Sequence, residues 1–307
     1  MSTVEQRTGS QAFRAGYVAI IGEPNVGKST LMNCFIGQKI SIVTNKPQTT
    51  RHKIVGILTK EQYQIIFLDT PGLLRPKYLL HESMMDVARS AMYDADVLLF
   101  MVDCTDYRLD IEDDLAFQLL RAQKKPVYLV INKIDLVDKH AVIPIIAAYS
   151  ERYTFEEIFP ISALKLSGTG KLLEYVVKLL PEHPPLYPPD ILSEHSERFF
   201  VCEIIREKIF EKFREEIPYA TTVDIIDFKE QVGRKDVIEA EVYVERASQK
   251  GILIGKQGKA LKEIGELARK DIEAFLQRPV FLTLHVKVRE KWREKEEWLR
   301  RLGYKES

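Results

Sequence analysis

From residue 17 onward, short apolar runs alternate with segments of mixed polarity. Tyr17-Val18-Ala19-Ile20-Ile21, Gln64-Ile65-Ile66-Phe67-Leu68, the run at 97–102, Pro126-Val127-Tyr128-Leu129-Val130-Ile131 and Ile158-Phe159-Pro160-Ile161 are almost continuous in hydrophobicity. Short runs without polar alternation read as strands buried on both faces. Helical stretches lie between them: one opening with Thr30-Leu31-Met32-Asn33-Cys34-Phe35, others at about 81–93 and 111–123, and a last one beginning near Lys171. Strands and helices alternating to about residue 180 predict a doubly wound, mostly parallel α/β sheet with helices on both faces.

The pattern then changes. His183-Pro184-Pro185-Leu186-Tyr187-Pro188-Pro189 contains four prolines, which lack N–H groups and favour extended backbone, so 182–196 reads as a semi-rigid linker or strap. Beyond it, Phe199, Phe200, Ile204, Ile209 and Phe213 recur at helical spacing and predict a core-facing helix over 197–216. Strands follow at about 221–229 and 236–246, the second alternating Val237, Glu239 and Glu241 against Ile238, Ala240 and Val242. A glycine-containing turn, a helix at about 259–276 and a strand at 279–288 complete an α+β domain. The chain therefore divides into a polar tail (1–14), an α/β domain (15–181), the linker (182–196), a second domain (197–290) and a charged helix and tail (291–307). Trp292 and Trp298 are six apart and share no helical stripe, so at least one is expected to anchor that helix.

At 307 residues the chain is long enough for two real cores. Lys plus Arg and Asp plus Glu both total 45, so bulk charge argues for neither nucleic acid nor membrane, and any such partner must be read from local patches. Cys34, Cys104 and Cys202 stand in apolar or helical contexts without metal-ligand spacing, and an odd count argues against a disulfide framework. They suit a reducing cytoplasm. The tail lacks an apolar signal core and the run at 97–102 is too short to span a bilayer, so a soluble chain is expected.

The first apolar strand runs into Gly22-Glu23-Pro24-Asn25-Val26-Gly27-Lys28-Ser29 and then a helix that opens at Thr30. This is G-x-x-x-x-G-K-S in its strand-loop-helix setting. The glycines let backbone wrap closely around an anion, and N–H groups at the helix start face a polyphosphate where the helix dipole favours negative charge. Lys28 is expected to reach the outer phosphates and Ser29 to ligate magnesium. The strand at 64–68 ends in Asp69-Thr70-Pro71-Gly72, where Asp69 would hold a magnesium-bound water and the Gly72 N–H would meet a terminal phosphate. Asn132-Lys133-Ile134-Asp135 follows the next strand; the Asp135 carboxylate would accept two hydrogen bonds from guanine that adenine cannot supply. Ser162-Ala163-Leu164 is placed to offer a backbone N–H to guanine O6. Singly these are common turns and caps. In this order, each after a strand, they converge at the carboxyl ends of one sheet. The polar loop from Ser41 to His52 is placed as a switch, with Thr50 favoured over Thr49 to complete the magnesium shell. Ser167-Gly168-Thr169-Gly170-Lys171 lacks phosphate-loop spacing and reads as a turn and N-cap.

In the second domain, Gly255-Lys256-Gln257-Gly258 sits between two helices and lets a nucleic-acid backbone approach, with Lys256 and Lys259 facing phosphates. Arg246, Lys250, Lys256, Lys259 and Lys262 fall in one stretch with no acidic residue, a local positive field in a neutral chain. The RNA-binding set is thus Lys250, Gly255, Lys256, Gln257, Gly258 and Lys259.

The nucleotide motifs resemble those of translation-factor-like GTPases, and the second domain resembles a type II KH domain. Joined in this order, with Gln-Thr-Thr-Arg-His in the switch, they resemble the Era-like GTPases over nearly the whole chain. The resemblance implies cytoplasmic GTP hydrolysis with GTP, GDP and Mg2+ as ligands. It further implies binding of single-stranded RNA near the 3′ end of small-subunit ribosomal RNA, assembly of the small ribosomal subunit, and peripheral association with the inner face of the cell membrane. A monomer with no DNA partner is expected. Many GTPases carry a water-orienting glutamine after Asp-x-x-Gly. Here that residue is Leu73, which predicts slow intrinsic hydrolysis. GTPases sharing this feature use an asparagine at the Asn25 position to help hold a potassium ion, so potassium-dependent, RNA-stimulated turnover is implied. Lys28, Asn25, Thr50 and Gly72 are the catalytic set, with Asp69 acting through water. A competing class is an RNA-binding scaffold in which guanine nucleotide is mainly structural. Double-domain or RNA-modifying GTPases would need a second motif set or a cysteine near the chain end, and the last cysteine is Cys202.

Overall fold

The computed structural model describes residues 12–106 and 115–305, so most of the tail expected at 1–14 and the start of the helix expected at 111–123 lie outside the described residues. The first domain is built from β1 (Arg14–Gly22), α1 (Lys28–Ile36), β2 (Ile54–Thr59), β3 (Tyr63–Asp69), α2 (Leu79–Asp94), β4 (Val97–Asp103), α3 (Leu115–Arg121), β5 (Val127–Asn132), α4 (Val142–Ser150), β6 (Glu157–Pro160) and α5 (Thr169–Leu179). Its six-stranded sheet has the order β2-β3-β1-β4-β5-β6. Every pairing is parallel except β2 with β3, which is antiparallel in the register Ile54↔Asp69 to Thr59↔Gln64. Strands buried on both faces need apolar side chains throughout, and β4 and β5 supply them in unbroken runs. One face packs under α2, α3 and α4, the other under α1 and α5.

The strap from 182 to 196 runs along the outer edge of β2. Ile57 N–H donates to Leu192 O at 2.8 Å, His195 Nε2 lies 2.9 Å from Lys53 O, and Ser193 Oγ donates to Val55 O. The side chain of the fully buried Gln64 accepts from Leu186 N (2.7 Å) and Tyr187 N (2.9 Å) and donates to Tyr187 O (2.8 Å). A sheet edge that would otherwise present bare N–H and C=O groups is thereby covered.

The second domain contains α6 (Glu197–Lys212), α7 (Ile217–Ala220), β7 (Thr222–Lys229), β8 (Asp236–Val244), α8 (Ala247–Ile254), α9 (Lys259–Leu276) and β9 (Val280–Val288). Its sheet order is β7-β8-β9, antiparallel then parallel. α6, α8 and α9 cover one face around Val201, Ile205, Ile209, Ile264, Ala268 and Ile272. The last segment departs from the single charged helix expected. Lys291, at φ 52, breaks the chain after β9; a 3-10 turn at Trp292–Glu294 and a short α10 (Glu296–Arg301) follow. Both tryptophans act as anchors. Trp292 is fully buried, donates Nε1–H to Ala220 O at 2.9 Å, and clusters with Leu80 and Met84 of α2 and with Leu299 and Tyr304. Trp298 lies edge-on to Tyr243 at 5.2 Å.

Candidate functional site

A cleft of about 440 Å³ opens at the carboxyl ends of β1, β3, β5 and β6. Pro24, Asn25, Gly27, Lys28, Ser29, Thr30, Thr50, Gly72, Asn132, Lys133, Asp135, Ser162 and Leu164 line it, so most of the residues expected to hold nucleotide are brought to one wall. Gly22, Glu23, Val26, Asp69 and Ala163 are not among its lining: Glu23 is exposed and the other four are buried. Lys28 is buried and donates from Nζ to Gly22 O (3.1 Å) and Glu23 O (2.7 Å), which curls the loop around its ammonium. Burial lowers its pKa to about 8 against the opposing pull of Asp69 and Glu23.

Asn132 joins three loops. Its Nδ2 donates to Val26 O at 2.8 Å and its Oδ1 accepts from Ala163 N at 2.9 Å. Of the donors in the Ser162-Ala163-Leu164 turn, the Ala163 N–H is therefore engaged by Asn132. Leu136 and Leu164, both well exposed, provide apolar edges beside Asp135. Asn25, at φ 66, donates from Nδ2 to Asn45 O at 3.1 Å and so ties the phosphate loop to the switch loop.

Ser29 Oγ lies 3.0 Å from Thr50 Oγ1 and 2.6 Å from Asp69 Oδ2. Asp69 is fully buried; Oδ2 also accepts from Ser41 Oγ at 2.8 Å, while Oδ1 is buried with no hydrogen-bond partner among the described residues. Burial raises its pKa, opposed by Ser29, Lys28 and Ser41. Converging hard oxygens, one of them an orphaned carboxylate oxygen, beside a lysine fit a magnesium shell. Thr49 is turned the other way: its Oγ1 meets Thr44 Oγ1 at 2.6 Å and donates to Lys46 O at 2.7 Å. Ser41 was not anticipated as a partner of Asp69; nothing in a polar loop sequence marks which serine will turn inward.

The second candidate surface is the turn between α8 and α9. Gly255, Gln257 and Gly258 have φ of 73°, 50° and 76°, a left-handed path that glycine makes easy, and Lys256, Gln257 and Lys259 are exposed. Lys250 is half-buried. From this turn a groove of about 420 Å³ continues between α9 and the edge strand β9, lined by Leu261, Lys262, Gly265, Arg269, Phe281 and Leu284. Its floor escaped the sequence reading, although Gly258, Leu261, Lys262, Gly265 and Arg269 fall on one face at helical spacing. Phe281 is 57 % exposed, an aromatic face available for stacking.

The family model described as a 50S ribosome-binding GTPase matches residues 17–133, and the KH domain model matches 216–293. GTPase Era of Geobacter metallireducens is 49% identical over 293 residues, spanning 95% of this chain and 98% of that protein. The chain belongs to the Era family of GTPases. The chloroplastic ERA-like GTPase of Arabidopsis thaliana is 48% identical over 95% of this chain and 69% of its own length. Two crystal structures superpose with a TM-score of 0.91 at 42% identity, covering 95% of this chain and 99% of theirs. One is a variant of Aquifex aeolicus Era bound to GDP.AlF4-, the other Era in complex with MgGDPNP and nucleotides 1506-1542 of 16S ribosomal RNA. As an Era-family member, this chain is a GTPase with a P-loop α/β domain followed by a KH domain. No described helix is long and apolar enough to cross a membrane.

Proposed function

We propose that the chain is a GTP-hydrolysing switch that binds single-stranded RNA near the 3′ end of small-subunit ribosomal RNA and acts in the cytoplasm in assembly of the small ribosomal subunit. The observation that carries this reading is a four-loop guanine-nucleotide cleft and a G-x-x-G groove on one chain. Era in complex with MgGDPNP and 16S ribosomal RNA nucleotides, which shares this architecture end to end, supports it.

Lys28 and the backbone N–H groups at the start of α1 hold the phosphates, and Asp135 selects guanine. Ser29 and Thr50 present hydroxyl oxygens to magnesium and Asp69 acts through a water. A bound Mg2+ supplies charge neutralisation on phosphate oxygens. Leu73 is buried, and its N–H is donated to Gly22 O at 3.0 Å, so its side chain orients no water. Intrinsic turnover is therefore slow; a potassium ion, were one bound, would be held with the help of Asn25 and would supply positive charge near the phosphates.

The test is GTP turnover in potassium buffer with and without a short RNA copied from that 3′ end. Gly258→Asp is the control: a Cβ there meets nothing within 4 Å, and aspartate tolerates positive φ better than most residues. Gly255 is less suitable, because its Cβ would lie 2.7 Å from that of Ala260. Stimulation by RNA that Gly258→Asp abolishes, with GTP binding intact, is the expected result. Equal turnover with and without bound RNA would overturn the RNA-responsive switch and mean that the domains are energetically independent or that another ribosomal component is the trigger; no turnover at all would leave the scaffold reading in its place.

A further inference from the structure

Thr50 is held from both sides by the second domain. On one side the Thr49 carbonyl accepts from Arg206 Nη2, on α6. On the other the Arg51 guanidinium, 1% exposed, donates to Thr221 O at 2.8 Å and to Pro218 O and Tyr219 O at 3.1 Å each, and it lies over the Phe210 and Trp292 rings. Arg206 is itself set in place by Glu203, whose Oε1 accepts from Nε at 2.8 Å, and both side chains are buried. The same helix takes hold of the loop twice more. Glu207 accepts from Val43 N at 3.0 Å, and the Lys46 ammonium donates to the Phe210 and Phe213 carbonyls at the end of α6, where a cation suits the helix dipole.

We propose that Arg206 and Arg51 are positioning residues for hydrolysis: by fixing the peptide groups that flank Thr50, the KH domain seats its hydroxyl against Ser29 in the magnesium shell. The proposal rests on Thr50 being a magnesium ligand. Docking of α6 and seating of Thr50 are then one equilibrium. GTP, which needs Thr50, favours the docked form, and GDP is indifferent to it.

Arg206→Lys and Arg51→Lys in the full chain keep each charge but lose the planar fork, which spans two partners in Arg206 and three in Arg51. Affinities for a non-hydrolysable GTP analogue and for GDP, and the magnesium concentration giving half-maximal turnover, are compared with Thr50→Ala. Both lysine variants are expected to bind GDP within about twofold of the parent, to bind the analogue about tenfold more weakly, and to need more magnesium. Combining Arg206→Lys with Thr50→Ala should cost no more than Thr50→Ala alone, because both remove one interaction. Should either lysine variant fail to fold, Lys46→Met cuts another tie of the loop to α6 and carries the same expectation. Lysine variants with the parent's GTP-to-GDP ratio and magnesium requirement, beside a Thr50→Ala that loses both, would overturn the positioning role and leave Thr50 a ligand. A Thr50→Ala that keeps both would overturn the ligand reading and the proposal with it.

Discussion

Gly72 stands where two loops of the nucleotide cleft touch, and the cost of adding one methyl there follows from the geometry. A Cβ would lie 2.6 Å from Pro24 N and 2.7 Å from both Pro24 Cα and Cγ, where ordinary contact begins at 3.4 Å. Backbone and a proline ring cannot rotate aside, so Gly72→Ala must part the loops by about 0.8 Å. The hydrogen bond from Leu73 N–H to Gly22 O, now 3.0 Å, joins the same two loops and would not survive that separation. Losing it costs about 0.5–1.5 kcal/mol. Overpacking adds about 1–3 kcal/mol, so the melting temperature should fall by several degrees.

The functional loss should be larger than the structural one. Lys28 and Ser29 belong to one loop and Asp69 and Gly72 to the other, and a misplacement near 1 Å costs about a hundredfold in rate. Single-turnover hydrolysis is expected to fall about 10- to 100-fold. GDP, which lacks the phosphate that Gly72 would meet, should bind within about fivefold of the parent. Turnover within about threefold of the parent, with an unchanged melt, would refute the claim that loop spacing limits the rate.

Trp292→Ala removes a fully buried indole and orphans the Ala220 carbonyl; a loss of about 3–5 kcal/mol in urea unfolding is expected, with Trp292→Phe milder. Lys28 titrates at about 8 because burial disfavours its charge, while bound phosphates favour the charged form. Nucleotide affinity should therefore be flat below pH 8 and fall above it, with proton uptake on binding that calorimetry in two buffers measures and Lys28→Met abolishes. Asn25→Ala should reduce turnover in potassium to the level seen in sodium, with GDP affinity little changed; equal parent rates in the two salts would dismiss a potassium site.

The α/β domain was legible because parallel strands buried on both faces must be apolar throughout, and because each motif follows such a strand. β2 was missed: Ile54 to Thr59 adjoins a polar loop and carries Gly56, and only the tertiary structure provides β3 on one side and the strap on the other. The apolar face of α6 is in part as expected: Phe200, Ile204 and Ile209 are buried, but Phe199 is half-buried, and the helix ends at Lys212, short of 216, so that Phe213 lies just past it. Its polar face carries no signal of its role. Glu203, Arg206 and Glu207 look like a solvated stripe, yet they are 5%, 1% and 1% exposed, because the switch loop covers them. Composition cannot reveal this, since a charge answered by a carbonyl from another domain has the same letter as one answered by water.

How these charges are satisfied bears on whether the interface can move. Burial pushes the Glu203 pKa up, but Arg206 outweighs it and leaves the carboxyl below its usual range. Burial lowers the pKa of Arg51, whose hydrogen bonds run to three main-chain carbonyls. Buried guanidinium groups held largely by carbonyls and rings recover only part of their hydration, so such contacts hold geometry more than they add stability. The apolar cores of the two domains are distinct and touch at Phe200 and Phe275 and where Trp292, Leu299 and Tyr304 pack on Leu80 and Met84 of α2, while the contact of α6 with the switch loop is polar. Meanwhile the strap hydrogen-bonds to β2 independently of α6 and would keep the domains together were α6 to lift. Large apolar interfaces are permanent; polar ones between separately cored domains exchange. A loop clamped by such an interface can be released without unfolding either core, which is what a switch reporting to the KH surface requires.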